Sequence, residues 1–369
     1  MNRPIAIAKG IAIILMVIGH AEVPGLLTST LYTFHMPLFF ITAGYFFNRQ
    51  RTMADPWDFC AKRFRGLYLP FLKYALLFWA LHNVFHYFGI LNEQYGNWEG
   101  GVTHPYTWAV AGRRLIQIFT GMSGYDEFMA GAFWFFRGLL VASILFMVLF
   151  RLLDRGTKIR GNRAVWLIMA GAVAFTALRI SSKAIIPSIP NGGMREIWGV
   201  FFFAMGYLYR QYENRLPSHW ALWLVTFGLV VLGGHLHCSG MNNNGKLLDC
   251  LTLPLTGLMG FLMTYGLSGW IDRKTNYLSR FLVFVGSNTL YIFVFHIISF
   301  KVVSLAKIWW YGLDWHQVGC HMVIHQTQGD FFWVLYTLAG VLLPLAGLQA
   351  ARAAKSYWAA LRQPRLVEE

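Results

Sequence analysis

Ten stretches of this sequence are predominantly apolar over nearly 20 residues each, and this pattern restricts the possible folds more than any other feature. A helix needs about 20 apolar residues to cross the roughly 30 Å hydrocarbon core of a bilayer. We therefore predict an all-α integral membrane protein, a bundle of about ten transmembrane helices. The stretches cover residues 4–24, 30–47, 67–88, 129–150, 164–180, 196–212, 219–236, 249–268, 281–305 and 331–349.

The composition agrees with exposure to lipid. Hydrophobic residues form 56% of the 369 residues, whereas charged residues form only 13%. Soluble domains carry about 25% charged residues, because a surface that faces water has to be solvated. This chain has too few polar groups to cover a globule, so its apolar surface has to face lipid.

The distribution of basic residues predicts the orientation. If the N-terminus is cytoplasmic, the inside segments contain 21 Lys and Arg residues and the outside segments contain eight. Cytoplasmic segments of membrane proteins are enriched in Lys and Arg, so both termini are predicted to be cytoplasmic. The net charge of +15 is spread between the apolar stretches, which argues against a nucleic-acid partner. We divide the chain into a transmembrane domain, residues 1–350, and a cytoplasmic basic tail, residues 351–369.

Titratable side chains at membrane depth are costly, so each is a candidate functional residue. At 1.5 Å per residue, His20 lies roughly 22 Å from the cytoplasmic edge of the first span. His35 and His296 fall in the same outer half of the bilayer, and Arg137 lies at a similar level. A neutral histidine is cheap to bury and exchanges a proton near pH 7, which suits a general base. The four residues predict one site, although each histidine is also explained as a hydrogen-bonded packing residue.

A second layer is cationic and lies near the cytoplasmic edge. Lys9 and Lys73 lie one to two turns inside that edge, and Arg63 and Arg65 just precede the third span. Together these side chains can hold several phosphate groups. The simpler interpretation is that they anchor the cytoplasmic ends of the helices.

A secondary transporter for an anionic small solute is the alternative function. Transporters of this kind are built from inverted repeats with broken helices at corresponding positions. We find neither feature, although Pro37, Pro254 and Pro344 could break helices.

The cysteine and histidine spacings predict no metal site. Four cysteines occur without a C-x-x-C spacing, and the group His316, Cys320, His321 and His325 matches no familiar ligand set. Cys238 and Cys250 flank one outside loop, where they can form a disulfide in an oxidising periplasm or remain two thiols.

Several blocks of the sequence resemble, in order, those of the membrane acyltransferase-3 family. The first is Lys9-Gly-Ile-Ala-Ile-Ile-Leu-Met-Val-Ile-Gly-His20, in which a basic residue and a histidine are separated by ten residues. The others are Phe34-His35-Met-Pro-Leu-Phe-Phe, Gly44-Tyr-Phe, Lys62-Arg63-Phe64-Arg65 before Leu-Tyr-Leu-Pro70, Trp134-Phe135-Phe136, Phe202-Phe203-Ala-Met-Gly206-Tyr207 and Gly286-Ser-Asn288-Thr-Leu-Tyr291-Ile-Phe-Val-Phe-His296. The Lys9 form is similar to the branch of fucose and surface-polysaccharide O-acetyltransferases. Gly66 departs from the family, since many members carry a further arginine there.

The resemblance implies a multi-pass enzyme of the bacterial inner (plasma) membrane. Its acyl donor would be cytoplasmic acyl-CoA, usually acetyl-CoA, used as a co-substrate with no permanently bound cofactor. Its acceptor would be a hydroxyl of a cell-surface or lipid-linked carbohydrate. No cysteine lies in a predicted span near the histidine layer, so we expect no cysteine intermediate. Whether His20 acts only as a base or also carries the acyl group stays open.

The resemblance and the two layers together assign roles to nine residues. His20 is the predicted general base, and His35 and His296 are further candidate catalytic residues. Arg137 and Asn288 are predicted to orient the substrates. The predicted cofactor-binding residues, which would hold the CoA phosphates, are Lys9, Arg63, Arg65 and Lys73.

Overall fold

The chain folds as a bundle of helices. The structure is a computed structural model, which describes residues 2–97, 101–183, 193–215, 220–241, 245–274, 276–326 and 330–361. In these ranges the only extended pairing is one antiparallel bridge between Asn97 and Gly101. The predicted all-α class is therefore correct for the described part of the chain.

Sixteen α-helices, numbered in chain order, occur in the described ranges. They are α1 (Arg3–Gly19), α2 (Gly25–Tyr32), α3 (His35–Tyr45), α4 (Arg49–Ala54), α5 (Pro56–Arg63), α6 (Leu69–Tyr87), α7 (Trp108–Gly121), α8 (Glu127–Ala130), α9 (Trp134–Gly156), α10 (Asn162–Ser182), α11 (Met194–Tyr212), α12 (Trp220–His235), α13 (Asp249–Arg273), α14 (Tyr277–Ser287), α15 (Thr289–Tyr311) and α16 (Phe332–Leu361). A π-helix, Phe64–Tyr68, joins α5 to α6, and 3₁₀-helices cover Gly131–Phe133, Glu213–Arg215 and Trp315–Gly319.

Six helical segments of the described chain are long and apolar enough to cross a membrane. They are Gly25–Tyr45, Glu127–Gly156, Asn162–Ser182, Asp249–Arg273, Thr289–Tyr311 and Phe332–Ala359. Two shorter apolar helices, α12 and α14, accompany them. The fold is that of an integral membrane helical bundle, whereas the count of ten spans and the cytoplasmic termini stay predictions.

Two predicted spans contain a break. Residues 30–47 divide between α2 and α3, and residues 281–305 divide between α14 and α15 at Asn288, where φ is −122° and ψ is 24°. The sequence analysis found no broken helices at corresponding positions of two halves and named only three prolines as possible breaks.

The prolines do not mark these breaks. Pro254 and Pro344 lie inside continuous helices. Pro37 lies in the first turn of α3, where its missing N–H is not needed by the helix.

Glycines allow α1 and α14 to approach closely. A Cβ atom at Gly10 would collide with the carbonyl of Leu282, and one at Gly286 would collide with the carbonyl of Ala6. Small residues at both positions therefore bring the two backbones into contact, as is common between membrane helices. Because α15 follows α14 directly, this contact also fixes α15 beside α1.

The last helix passes through the predicted domain boundary. α16 continues without interruption from Phe332 to Leu361, so position 350 lies within it. Residues 362–369 of the predicted tail lie outside the described residues. The division into domain and tail stays a prediction.

The alternatives for Cys238 and Cys250 are resolved, because both are free thiols, as are Cys60 and Cys320. In the described ranges no group of three or more His, Cys, Asp and Glu side chains is arranged to hold a metal ion.

Candidate active site

The structure brings two of the predicted histidines into direct contact. His20 follows the last residue of α1, and His296 lies within α15. Nδ1 of His20 lies 2.9 Å from Nε2 of His296. The two ring planes are nearly parallel, with an angle of 19° between them, and the ring centroids are 5.1 Å apart. The close approach of α1 to the α14–α15 unit places these rings side by side.

Backbone carbonyls fix which nitrogen of each ring carries a proton. Nδ1 of His296 lies 2.9 Å from the carbonyl oxygen of Phe293 and 3.2 Å from that of Ile292. A carbonyl oxygen only accepts, so Nδ1 of His296 is the N–H and its Nε2 is the acceptor. His20 must then donate from Nδ1. In a neutral His20 ring the proton-free nitrogen is Nε2, which leaves that lone pair for chemistry.

His35 lies near the pair without joining it. Its Nδ1 lies 2.6 Å from the carbonyl oxygen of Leu31, and its ring meets Tyr32 edge-on at 5.1 Å. The His35 ring is within the range of electrostatic interaction with His20. Its contacts in the described structure are those of a packing residue next to the candidate site.

A segment of the chain after α15 places another histidine near His20. His321 of this segment also lies within electrostatic range of His20, and its ring packs edge-on against Phe128 at 5.0 Å. Burial lowers the pKa of His321 to about 4, so this ring is neutral at physiological pH. Nδ1 of His325 in the same segment lies 2.8 Å from Oε1 of Glu22.

Two lysines of α15 form polar contacts with the chain that follows this helix. Nζ of Lys301 donates to the carbonyl oxygens of Val318 (2.8 Å) and Cys320 (2.6 Å). Nζ of Lys307 lies 3.0 Å from Asp330. The sequence assigned neither lysine a role, although Lys301 lies within a predicted span, which marks it as an ionisable residue at membrane depth.

A cavity of about 370 Å³ lies between α1, α3, α9, α15 and the π-helix region. We call it the basic cavity, because its charged lining residues are Lys9 and Arg63. Its walls also carry Met16, one turn before His20, and Phe293, whose carbonyl holds His296. The basic cavity therefore extends from the two cations to within about one helical turn of the histidine pair.

The two cations of the basic cavity lack acidic partners. The ion pairs found in the described residues do not include Lys9 or Arg63. The guanidinium of Arg63 lies over the rings of Phe59 and Phe203, at 5.1 and 5.4 Å. Both positive charges are thus available to an anion that enters the cavity.

The other two predicted phosphate-binding residues lie elsewhere. Arg65 and Lys73 are exposed, and neither lines the basic cavity. Nζ of Lys73 lies 5.0 Å from the ring of Tyr74. Of the four predicted cations, the structure brings Lys9 and Arg63 together and leaves Arg65 and Lys73 on the surface.

Arg137 is held away from the basic cavity by an acidic partner. Its Nε donates to Oε1 of Glu196 at 2.9 Å, and both side chains are buried. The sequence did not single out Glu196, although it is an acidic residue at the start of a predicted span. This pair joins α9 to α11 and does not line the basic cavity.

Asn288 occupies the break between α14 and α15. Its Nδ2 donates to the carbonyl oxygen of Phe284 at 2.7 Å, and its Oδ1 accepts from Arg352 at 2.9 Å. The next residue, Thr289, lines the basic cavity. Asn288 therefore fixes the start of α15 beside the cavity and ties it to α16.

His82 and Asp126 form a buried pair that the sequence analysis did not predict. Nδ1 of His82 lies 2.8 Å from Asp126, its Nε2 lies 3.0 Å from the carbonyl oxygen of His104, and both side chains are 1% exposed. The ring of Tyr106 is stacked on His82 at 3.5 Å. His82 is a titratable residue within the predicted span 67–88, and that position was the available signal.

The fold and the site together define a class. The protein is a multi-pass membrane protein, in which a basic cavity leads to a pair of hydrogen-bonded histidines. A family model described as an acyltransferase domain matches residues 5–351, nearly the whole chain. The chain belongs to the acyltransferase-3 family, as its motifs predict, and it is a membrane acyltransferase. The match gives no support to the transporter alternative. Comparisons with curated proteins and with solved structures yield no match.

Proposed function

We propose that this protein transfers an acetyl or related acyl group from acyl-CoA to a hydroxyl of a cell-surface or lipid-linked carbohydrate. The observation that carries the proposal is the bond between Nδ1 of His20 and His296, because it leaves Nε2 of His20 as a free base about one helical turn from Met16 in the wall of the basic cavity. The carbohydrate class of the acceptor rests on the resemblance to O-acetyltransferases.

The dimensions of α1 suit the donor. Lys9 and His20 are separated by 11 residues, or roughly 16 Å along a helix axis. Phosphates bound by Lys9 and Arg63 would place an extended pantetheine arm along the largely apolar cavity wall, with its thioester near His20. The unpaired charges of the two cations favour an anion at that end of the basic cavity.

The chemistry requires one proton transfer at His20. As the acceptor hydroxyl attacks the thioester carbonyl, Nε2 of His20 takes the hydroxyl proton. The new C–O bond forms, the C–S bond breaks, and its electron pair leaves on the sulfur of CoA. His296 is a positioning residue in this scheme, because its Nε2 holds Nδ1 of His20. His35 is proposed to shape the site beside His20, and Arg137 and Asn288 to orient the substrates.

An assay with purified full-length protein tests the proposal. Labelled acetyl-CoA is incubated with candidate surface glycans, and both free CoA and the label on glycan are measured. We expect CoA release that depends on glycan, with the label recovered as an alkali-labile ester. CoA binding without any acyl transfer across a broad set of hydroxyl acceptors would count against the proposal.

The same protein distinguishes direct transfer from an acyl-His20 intermediate. Rapid acid-free quenching of labelled acetyl-CoA with protein, in the absence of acceptor, is followed by mass spectrometry of the peptide that contains His20. Direct transfer predicts no acetylated peptide, whereas the two-step path predicts label on this peptide that is lost when glycan is added.

The proposed direction of transfer requires the predicted orientation in the inner membrane. Topology reporters fused after Gln50 and after Gly161 are expected to report a cytoplasmic position, and a reporter after Asn243, which lies outside the described residues, an external one. An external signal after Gly161 would reverse the order of spans and place the basic cavity on the wrong side for cytoplasmic acyl-CoA.

A further inference from the structure

A second cavity of about 410 Å³ lies near the start of α1, among the ends of α3, α11 and α13 and the beginning of α12. We call it the aromatic cavity. Its lining includes three tyrosines, two tryptophans and one carboxylate: Tyr45, Tyr209, Tyr265, Trp223, Trp270 and Glu213. Its volume falls in the range typical of small-molecule sites, roughly 300–1,000 Å³.

The tyrosine rings form a cluster on one side of the aromatic cavity. The centroid of Tyr45 lies 6.4 Å from that of Tyr209 and 6.3 Å from that of Tyr265. Tyr209 and Tyr265 meet edge-to-face at 5.4 Å. The electron-rich faces of such rings attract organic cations, most strongly where water is excluded.

Glu213 supplies a negative charge to this cluster. The hydroxyl of Tyr45 donates to both carboxylate oxygens, at 3.1 and 3.0 Å, and the hydroxyl of Tyr265 lies 3.4 Å from one of them. Within the described ranges no Lys, Arg or His forms an ion pair with Glu213. The carboxylate is thus oriented by neutral donors and keeps its charge for a partner from outside the chain.

The nearest basic side chains do not neutralise this charge. Arg210 donates instead to the backbone carbonyl of Tyr45 at 3.2 Å, and its guanidinium lies 5.6 Å from the ring of that residue. Arg273 borders the aromatic cavity. This arrangement gives a negative group among aromatic rings with an arginine at the margin.

We propose that the aromatic cavity binds an organic ammonium group. Glu213 pairs with the positive charge, the tyrosine and tryptophan rings surround it, and Arg273 contacts a phosphate when the ligand carries one. Two sources share this chemistry: the headgroup of an aminophospholipid such as phosphatidylethanolamine, and a soluble amine such as choline or ethanolamine. The site lies apart from the basic cavity and does not depend on the acyl-transfer proposal.

Binding measurements on the full-length protein in detergent test the proposal and separate the two sources. Soluble choline and ethanolamine are titrated while tryptophan fluorescence is followed, because Trp223 and Trp270 line the site. Native mass spectrometry compares phosphatidylethanolamine with phosphatidylglycerol, which lacks the ammonium group. Saturable binding of either amine, or retention of phosphatidylethanolamine in preference to phosphatidylglycerol, supports the site and identifies its source.

Substitution of Glu213 supplies the decisive comparison. E213Q retains a hydrogen-bonding side chain of the same size, so the fold is expected to persist, and elution as a single species checks this. We expect the affinity for the bound amine to fall about tenfold or more, as for loss of a charge-assisted contact. The matched control is E93Q, which removes an exposed carboxylate that pairs with His104 and should leave amine affinity unchanged.

A second pair of variants separates the ring from the hydroxyl. Y265F keeps the aromatic face and should bind the amine within a few-fold of the unsubstituted protein, whereas Y265L should bind it at least as weakly as E213Q. Equal binding by E213Q and the unsubstituted protein, or no preference for ammonium-bearing ligands, would overturn the proposal and leave Glu213 as a structural partner of the tyrosine hydroxyls.

Discussion

The basic and aromatic cavities are separated by one helix and differ in the charged residues that line them: two cations line the first, whereas one carboxylate and one arginine line the second. Thr42 and Phe46 of α3 line the basic cavity, while Tyr45 of the same helix lines the aromatic cavity. Among the described residues, the first presents Lys9 and Arg63 without acidic partners, and the second presents Glu213 without an ion-pair partner. A net charge of +15 therefore says little about any one site, because the local pairing of charges decides which ligand each cavity suits.

The two cavities also differ in their position relative to the pair of histidines, His20 and His296. Neither lining contains a histidine, but Met16 in the wall of the basic cavity lies about one helical turn before His20. This difference predicts that acyl transfer depends on the first region alone. Four groups of variants test it, from the largest expected effect to the smallest.

His20→Gln is expected to have the largest effect. Glutamine keeps the polarity and approximate size of the side chain but cannot take up the hydroxyl proton. Loss of a general base typically lowers a rate by about 10²–10⁴-fold, so acyl transfer should almost vanish while acetyl-CoA binding persists. The rate of ester formation and the dissociation constant for acetyl-CoA are the two measurements. A variant that kept most of the original rate would make His20 a packing residue and direct attention to His35 or His296.

Removing a cation from the basic cavity should weaken donor binding. Lys9→Gln and Arg63→Gln each delete one charge that faces the cavity. A charge-assisted hydrogen bond is worth roughly 1.5–3 kcal/mol, so affinity for acetyl-CoA should fall about ten- to hundredfold. Calorimetric titration measures it, with Lys158→Gln as a control that removes an exposed charge outside the cavity. Unchanged affinity in both variants would show that the two residues only anchor the helices.

His296 should influence the rate less than His20. His296→Leu removes the acceptor that holds Nδ1 of His20, a hydrogen bond worth roughly 0.5–1.5 kcal/mol, and the rate of transfer should fall up to about tenfold. His296→Gln offers a carbonyl oxygen in its place and should recover part of the rate, with the KM for acetyl-CoA unaltered in both. Identical losses in the two variants would favour a purely structural role.

Arg65→Gln and Lys73→Gln should have the smallest effects. Both side chains are exposed and lie outside the lining of the basic cavity. Exposed charges contribute about 0–1 kcal/mol to a contact, so acetyl-CoA affinity should change by no more than about fivefold. The same titration applies. A loss as large as that of Arg63→Gln would mean that the phosphates lie on the surface of the bundle, outside the basic cavity.

The sequence predicted those features of the protein that depend on the spacing of apolar stretches and on the order of motifs along the chain. Apolar stretches indicated the helical membrane fold, and the depth of His20 and His296 along their spans placed them in one layer, where they meet. The rise of a helix fixes depth well. It does not fix the direction in which a side chain points around the axis.

The direction in which a side chain points around the helix axis explains why Arg65 and Lys73 lie outside the basic cavity. The π-helix Phe64–Tyr68 adds a residue to one turn and so changes the phase of the residues that follow. Arg63 precedes this turn and faces the basic cavity. Arg65, two positions further on, points about 200° away around a helix axis, and Lys73 lies beyond the change of phase. The partner of Arg137 could not be found from the sequence either, because Glu196 lies 59 residues away and only packing of α9 against α11 unites them.

The hydrogen bond between His296 and a backbone carbonyl limits proton movement through the histidine pair. A carbonyl oxygen does not take up a proton under ordinary conditions, so the chain of two rings is closed at its far end. A proton that enters at Nε2 of His20 can have its charge shared across the two hydrogen-bonded rings, but it has no onward exit through His296. It has to leave through the nitrogen by which it came. In the proposed reaction the departing thiolate of CoA is a suitable recipient, so each catalytic cycle would restore the free base without a separate path to solvent.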